Sequence, residues 1–328
     1  MRTHTFLTRE PENSHFQLAE MTTDGKPMGR WRSRQGISFD RSAIDACMDY
    51  LRNRTDSNFK RLISTQGSKL AYKHHLWGSI WSKLTIEEFW KKELDRIDWN
   101  TQLETSVEEI IQFLKDHERQ WLDSVLMYLP QGHIFNTTVY LILGYDSIVY
   151  GENAALNLNF KQFHTDHREA VYYLIHELAH SGYFRYRRMP DLAGLRTVSN
   201  LLDAVKLLTH LEGMGVISPF KLRMEEQGLL DDDYKVLLDR KERRQRVQEY
   251  FTSLSRLKKE PNRKLDKEDS QILETFSARP KRLWYIAGGH MALKIEERYG
   301  TEKLQNTVKK GHAMFFKTYE QIRNNLAV

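Results

Sequence analysis

One short β-rich block interrupts a chain that otherwise reads as helix. Thr137–Tyr145 (TTVYLILGY) is β-branched and aromatic, the composition of a buried strand. Ser147–Gly151 and Ala154–Asn159 continue as two more short strands, separated by turn residues at Asp146-Ser147 and Gly151-Glu152-Asn153. Before this block the apolar residues recur at helical spacing: Ile44, Cys47, Met48, Leu51; Ile86, Phe89, Trp90, Leu94; Val107, Ile110, Ile111, Leu114. Thr85-Ile86-Glu87-Glu88 opens one helix as a capping box, and Pro130 closes the last. After His164 the chain again reads as helix and loop. The fold class expected is α+β, predominantly helical, with a small sheet between two helical blocks. The divisions expected are an N-terminal arm over 1–38, a helical region over 39–132 and a core over 133–328, with Trp31 able to anchor the arm.

Composition narrows this further. Only 17 Gly and 7 Pro occur among 328 residues, which favours long helices over the many turns of a sandwich or barrel. The single cysteine, Cys47, excludes an internal disulfide framework and any Cys-rich zinc module. Residues 1–27 lack the apolar run of ~7–15 residues that a signal peptide needs, and no stretch reaches the ~18 of a membrane span. A soluble, cytoplasmic chain is the expectation. The net charge of +6 comes from 50 basic and 44 acidic residues, mostly interleaved. The densest basic run, Arg240–Arg246, contains Glu242 and is flanked by Val236, Leu237, Val247 and Tyr250 at helical spacing. It reads as the solvated face of a helix, which argues against a nucleic-acid partner.

The chemistry concentrates in the segment after the strands. Asp166 followed by Glu169 is a helix-opening pattern, and Gly182 is placed to end that helix. Between them the helix is apolar nearly all round, so it is buried. His176 and His180 are i and i+4, one turn apart on one face, where two imidazoles can chelate a cation. Glu177 stands roughly 100° round from His176, beside the metal position, where a carboxylate can accept a proton without being a ligand. A buried helix has little reason to carry such a trio unless something cationic pairs with it. A catalytic zinc needs a third protein ligand. The metzincin spacing would put Gly at 183 and His at 186, but Tyr183 and Tyr186 stand there. The next helical segment offers Asp203, His210 and Glu212. Asp203 and His210 share a face that Glu212 opposes. Glu212 is the expected ligand, because Gly213 and Gly215 after it let the backbone approach the His-bearing helix. His74-His75 diverge on a helix and make a poor chelate, and His164 and His167 lie too far along the axis.

His176-Glu177-Leu178-Ala179-His180 followed by Glu212-Gly213-Met214-Gly215 resembles the gluzincin metallopeptidases. The resemblance is closest to uncharacterised zinc-dependent peptidase families whose third ligand sits in a Glu-Gly-(Met/Leu)-(Ala/Gly) segment. It covers residues 137–216 and extends toward the C-terminus, where Trp284-Tyr285-Ile286-Ala287-Gly288-Gly289-His290-Met291 is similar to their late Tyr-x-x-Gly helix. The resemblance implies a zincin-like core with the sheet packed on the His-bearing helix. It also implies Zn2+ held by His176, His180 and Glu212, with Glu177 as general base and a peptide or protein as substrate. One departure from the thermolysin pattern is Val216, where an Asp would stand four residues after the third ligand. Tyr285 and His290 are candidates for the donor that steadies the tetrahedral oxyanion. Substrate is expected as an added strand on an exposed sheet edge, taken as Ala154–Asn159. Two other readings are compatible with the same residues: a metal-dependent hydrolase of another amide or ester, and a binding protein that keeps the scaffold without peptidase activity.

Overall fold

The computed structural model describes residues 29–78, 82–229, 231–278 and 281–325, so most of the expected arm, residues 1–28, lies outside the described residues. Its described remainder contributes to two short strands. Arg30–Arg32 (β1) and Ile37–Asp40 (β2) form an antiparallel pair, with Trp31 stacked on Phe39 at 4.5 Å between ring centres. There follow α1 (Ser42–Arg52), α2 (Asp56–Ser64), α3 (Gln66–Gly78), α4 (Ile86–Leu94), α5 (Thr101–Asp116) and α6 (Glu118–Leu126). The strand block gives β3 (Thr137–Ile142), β4 (Ile148–Tyr150) and β5 (Asn153–Asn157). The helices after it are α7 (Lys161–Thr165), α8 (Arg168–Phe184), α9 (Val198–Glu225), α10 (Asp232–Leu238) and α11 (Arg240–Leu257). The last are α12 (Lys267–Ser277), α13 (Leu283–Tyr299), α14 (Thr301–Lys310) and α15 (His312–Asn325). The chain is mostly helical with a small mixed sheet, an α+β architecture. No helix among the described residues is long and apolar enough to cross a membrane.

Periodicity produced the N-terminal helices as expected. Ile44, Cys47, Met48 and Leu51 are buried on α1, and Val107, Ile110, Ile111 and Leu114 on α5. The Thr85 capping box is complete: Thr85 accepts from the Glu88 N–H while the Glu88 carboxylate accepts from the Thr85 N–H. The strands run in the order β1-β2-β3-β5-β4, with β2, β3 and β5 parallel and β1 and β4 antiparallel at the two ends. Two expectations fail here. β3 stops at Ile142, because Gly144 (φ +92°) and Tyr145 (φ +66°) bend the chain out of the sheet. The expected edge strand Ala154–Asn159 is central: β5 pairs with β3 on one side and β4 on the other. The tight turn at Gly151 (φ +66°) folds β4 against β5 and leaves β4 outermost.

The two faces of the sheet carry different helices. Thr137 points to α8, where its Oγ1 lies 2.6 Å from Ser181 Oγ. Tyr140 and Ile142, of opposite parity, point to α3, and Gly67 is the residue that lets α3 approach them. On its far side α8 packs against α9, and α9 against α13. A Cβ on Gly213 of α9 would lie 2.6 Å from the Gly288 carbonyl carbon of α13, so these helices cross backbone to backbone. Gly182 does not end α8. The helix continues to Phe184, and the glycine makes room for Leu129.

α8 and α9 are antiparallel and cross-linked near both ends of their contact. At one end Glu169 Oε1 and Arg223 Nη1 are 2.6 Å apart, with side chains 2% and 1% exposed. Arg223 also lies over the rings of Tyr172 and Tyr234, at 4.3 and 4.6 Å. At the other end the Tyr183 hydroxyl meets His210 Nδ1 at 3.0 Å, and His210 Nε2 meets Thr307 Oγ1 at 3.1 Å. Removing one member of a buried ion pair strands the other charge in a low-dielectric interior. Glu169→Ala is therefore expected to lower unfolding free energy by about 3–5 kcal/mol in denaturant titration; a loss below 1 kcal/mol would show that the pair is dispensable.

Burial also sets the acid limit of the fold. It drives the His133 ring down to about 4, helped by Arg185, and drives His210 well below its ordinary value, helped by His312 and Arg187. In the unfolded chain both titrate near ~6.5. Between those values the unfolded chain binds protons that the folded one refuses, so stability is full above pH ~6.5 and falls as pH drops toward 4. The urea midpoint is expected to fall across that window, with a shallower slope in His133→Asn. An unchanged slope would exclude His133 as a contributor.

Candidate metal centre

The cross-linked helices bring three of the expected residues together. His176 Nε2 lies 3.3 Å and His180 Nε2 3.2 Å from Glu212 Oε2, and the three ligand-type atoms all fall within 4.8 Å of one another. Their side chains are 19%, 7% and 12% exposed, respectively, so the cluster opens to solvent only narrowly. Asp203 and His210 go elsewhere. Asp203 pairs with His312 on the surface at 2.8 Å, and His210 is spent on Tyr183 and Thr307.

Both approaches lie at the long edge of hydrogen-bond distance. Neither imidazole N–H is aimed at Glu212 Oε2, which is buried without a donor, and His180 Nδ1 is likewise buried without a partner. Three such groups around one point could hold a metal ion between them. Tetrahedral zinc with ligand bonds of ~2.0–2.1 Å sets its donor atoms roughly 3.3 Å apart, which matches both His–Glu spacings. Gly215 completes the cradle. A Cβ there would lie 2.6 Å from His180 Cε1 and 2.7 Å from His176 Cε1. The donor set thus fits a zinc ion.

The electrostatics agree with that shape. Burial pushes the Glu212 carboxyl up, but the His180 and His176 rings outweigh it and hold the group well below the ordinary carboxylate range. His176 is lowered by burial first and by His180 second, which keeps its ring neutral and its nitrogen lone pair available. Glu177 is 7% exposed, and its carboxylate makes no hydrogen bond to another described residue. Burial, then the Glu212 and Asp146 charges, raises its carboxyl well above the usual value. A bound dication would oppose that shift.

Of the two candidate donors, only Tyr285 reaches this cleft. Its ring stacks beside His176 at 6.5 Å, and burial followed by the Glu212 charge raises its phenol well above 10, so it keeps its proton. His290 lies by Tyr319, and its electrostatic neighbours are Arg243, Lys294 and Glu297. Two residues entered that the sequence reading passed over. His74, set aside as half of a poor chelate, hydrogen-bonds the Tyr145 hydroxyl at 3.0 Å and lies within electrostatic reach of Glu212 and His180. Arg282, carried by no motif, lies over Tyr285. Val216, where thermolysin has its Asp, is buried, and His180 Nδ1 has no hydrogen-bond partner.

Fold and site together define a helical α+β chain with a buried His-His-Glu cluster. The chain belongs to the family described as "Putative zinc dependent peptidase (DUF5700)", whose model matches residues 59–327 and so takes in most of α2 and all of α3–α6 as well as the core. No curated protein and no solved structure matches the chain.

Gly215→Ala tests the cradle. Alanine favours the helix by about 1 kcal/mol, yet its methyl group must displace both imidazoles. Zinc affinity, measured by chelator competition, is expected to fall about 10- to 100-fold with helical content unchanged. Undiminished affinity would mean that the rings do not hold metal in this arrangement.

Proposed function

We propose that this chain is a zinc-dependent peptidase in which His176 Nε2, His180 Nε2 and a Glu212 carboxylate oxygen hold the ion and Glu177 is the general base. The observation that carries this reading is the convergence of three donor atoms around a Glu212 oxygen that no N–H satisfies. Membership of a zinc-peptidase family supports it.

Zinc, when bound, supplies Lewis-acid polarisation of the scissile carbonyl and acidifies the attacking water. The protein supplies the rest. Glu177, adjacent to His176 but turned away from its metal-facing edge, takes the proton from the water and passes it to the leaving amine. A carboxyl whose pKa is drawn up by burial and drawn down by a neighbouring dication is suited to both transfers. The Tyr285 hydroxyl, kept neutral by burial, is a protein donor for the developing oxyanion. The narrow opening excludes bulk water and strengthens each of these interactions.

Metal analysis and turnover measured on one set of variants test this reading. Wild type is expected to bind one zinc and to cleave peptides until chelator is added. His180→Ala and Glu212→Ala are expected to lose the metal. Glu177→Gln is expected to keep it while turnover drops about 10³-fold. Stoichiometric zinc in Glu212→Ala, or full activity in Glu177→Gln, overturns the assignment.

A further inference from the structure

Among the described residues beside the cluster is a cation, Arg282, that the reaction above does not use. Arg282 stands immediately before α13 with φ at +43°, in the left-handed region that side-chain-bearing residues seldom occupy. Such backbone conformations persist where the surroundings hold them, often at functional sites. The guanidinium lies over Tyr285, its Cζ 3.5 Å from the ring centre. Since the Tyr285 and His176 ring centres are 6.5 Å apart, Cζ is no more than 10 Å from the His176 ring.

Arginine carries five N–H donors in a fixed fork. Here a single one is spent: Nε contacts Asp233 Oδ2 at 2.6 Å and Oδ1 at 2.9 Å. Nη1 and Nη2 make no hydrogen bond to any described residue, and the side chain is 24% exposed. The Asp233 pair accounts for how the head group is held and leaves the four Nη donors without a partner among the described residues. A planar pair of amino groups matches a carboxylate bidentately.

We propose that Arg282 anchors a substrate carboxylate one residue beyond the scissile carbonyl, which makes the free C-terminus of a peptide the preferred substrate end. The inference rests on the peptidase reading for its chemistry. Successive carbonyl carbons of a peptide are roughly 3–4 Å apart, so a terminal carboxylate on Arg282 leaves its neighbouring carbonyl within reach of the metal-binding atoms. Water adds across the last peptide bond: its hydroxyl goes to the acyl carbon, a proton goes to the departing nitrogen, and one amino acid leaves. An Asp or Glu side chain at the same position would present the same group.

Three tetrapeptides separate the sources: a free acid with a neutral last residue, its C-terminal amide, and an amide ending in Asp. With the zinc-loaded full chain, the free acid is expected to shed its last residue, seen by mass spectrometry, with kcat/KM about 10- to 100-fold above the neutral amide. Cleavage of the Asp amide at a comparable rate would assign the anchor to side-chain carboxylates. Arg282→Met should abolish the acid-over-amide ratio, and Arg282→Lys should keep part of it. Calorimetry on metal-free protein with an N-acetyl amino acid and its amide reads the anchor without turnover. Tighter binding of the acid, lost in Arg282→Met, supports the anchor even if no peptide is cleaved. Wild-type protein that cleaves or binds acid and both amides equally overturns the proposal, whatever the variants do.

Discussion

The antiparallel contact of α8 with α9 is the constraint on which the rest of the structure depends. Two imidazoles on one helix and a carboxylate on another can share a point only if the helix axes come unusually close. Gly215 permits that approach, because any side chain there would occupy the space of both rings. Closeness alone would not fix the rotation of one helix about the other. The buried Glu169–Arg223 pair on one side and the Tyr183–His210–Thr307 chain on the other do so, through directional polar contacts in an apolar interior. The cluster is therefore preorganised by groups that lie outside it.

What was legible in the sequence was what local periodicity encodes. The i, i+4 histidines fix their own geometry once the segment is helical, and Glu212 could be singled out because two glycines after a carboxylate signal close backbone approach. Of these, Gly215 faces the imidazoles, while Gly213 serves α13 instead. Elements defined by distant partners were not legible. Arg30–Arg32 offers one apolar residue in three, too little to announce a strand, and is held by pairing with β2 and by Trp31 stacking on Phe39. The central position of β5 follows from a hairpin folding β4 to its outside, a pairing order that strand composition does not contain. Arg282 and His74 reach the cleft from segments about a hundred residues to either side of the histidines, and neither lies in a pattern that marks it.

The N-terminal helices do more than cover the sheet. α3 crosses the face opposite α8, and its C-terminal half delivers His74 to the Tyr145 hydroxyl and the Trp77 indole N–H to the Pro190 carbonyl, at 3.0 and 2.9 Å. Tyr145 belongs to the left-handed bend after β3, and Pro190 to the loop between α8 and α9. One helix thus fastens two loops beside the cluster, which gives a physical reason for the family match to extend back through α2.

The spacing of the cross-links makes this chain unequally tolerant of changes in length. An extra residue in α8 between Glu169 and His176 would turn the imidazoles by roughly 100° relative to Arg223, and no side-chain adjustment could return them to Glu212. The same holds for α9 between Glu212 and Arg223. The connection from Arg185 to Thr197 carries no such register, since both helices are pinned before the chain enters and after it leaves. Insertions that drift into this architecture should accumulate there, beside the cleft but outside the clockwork of the two helices.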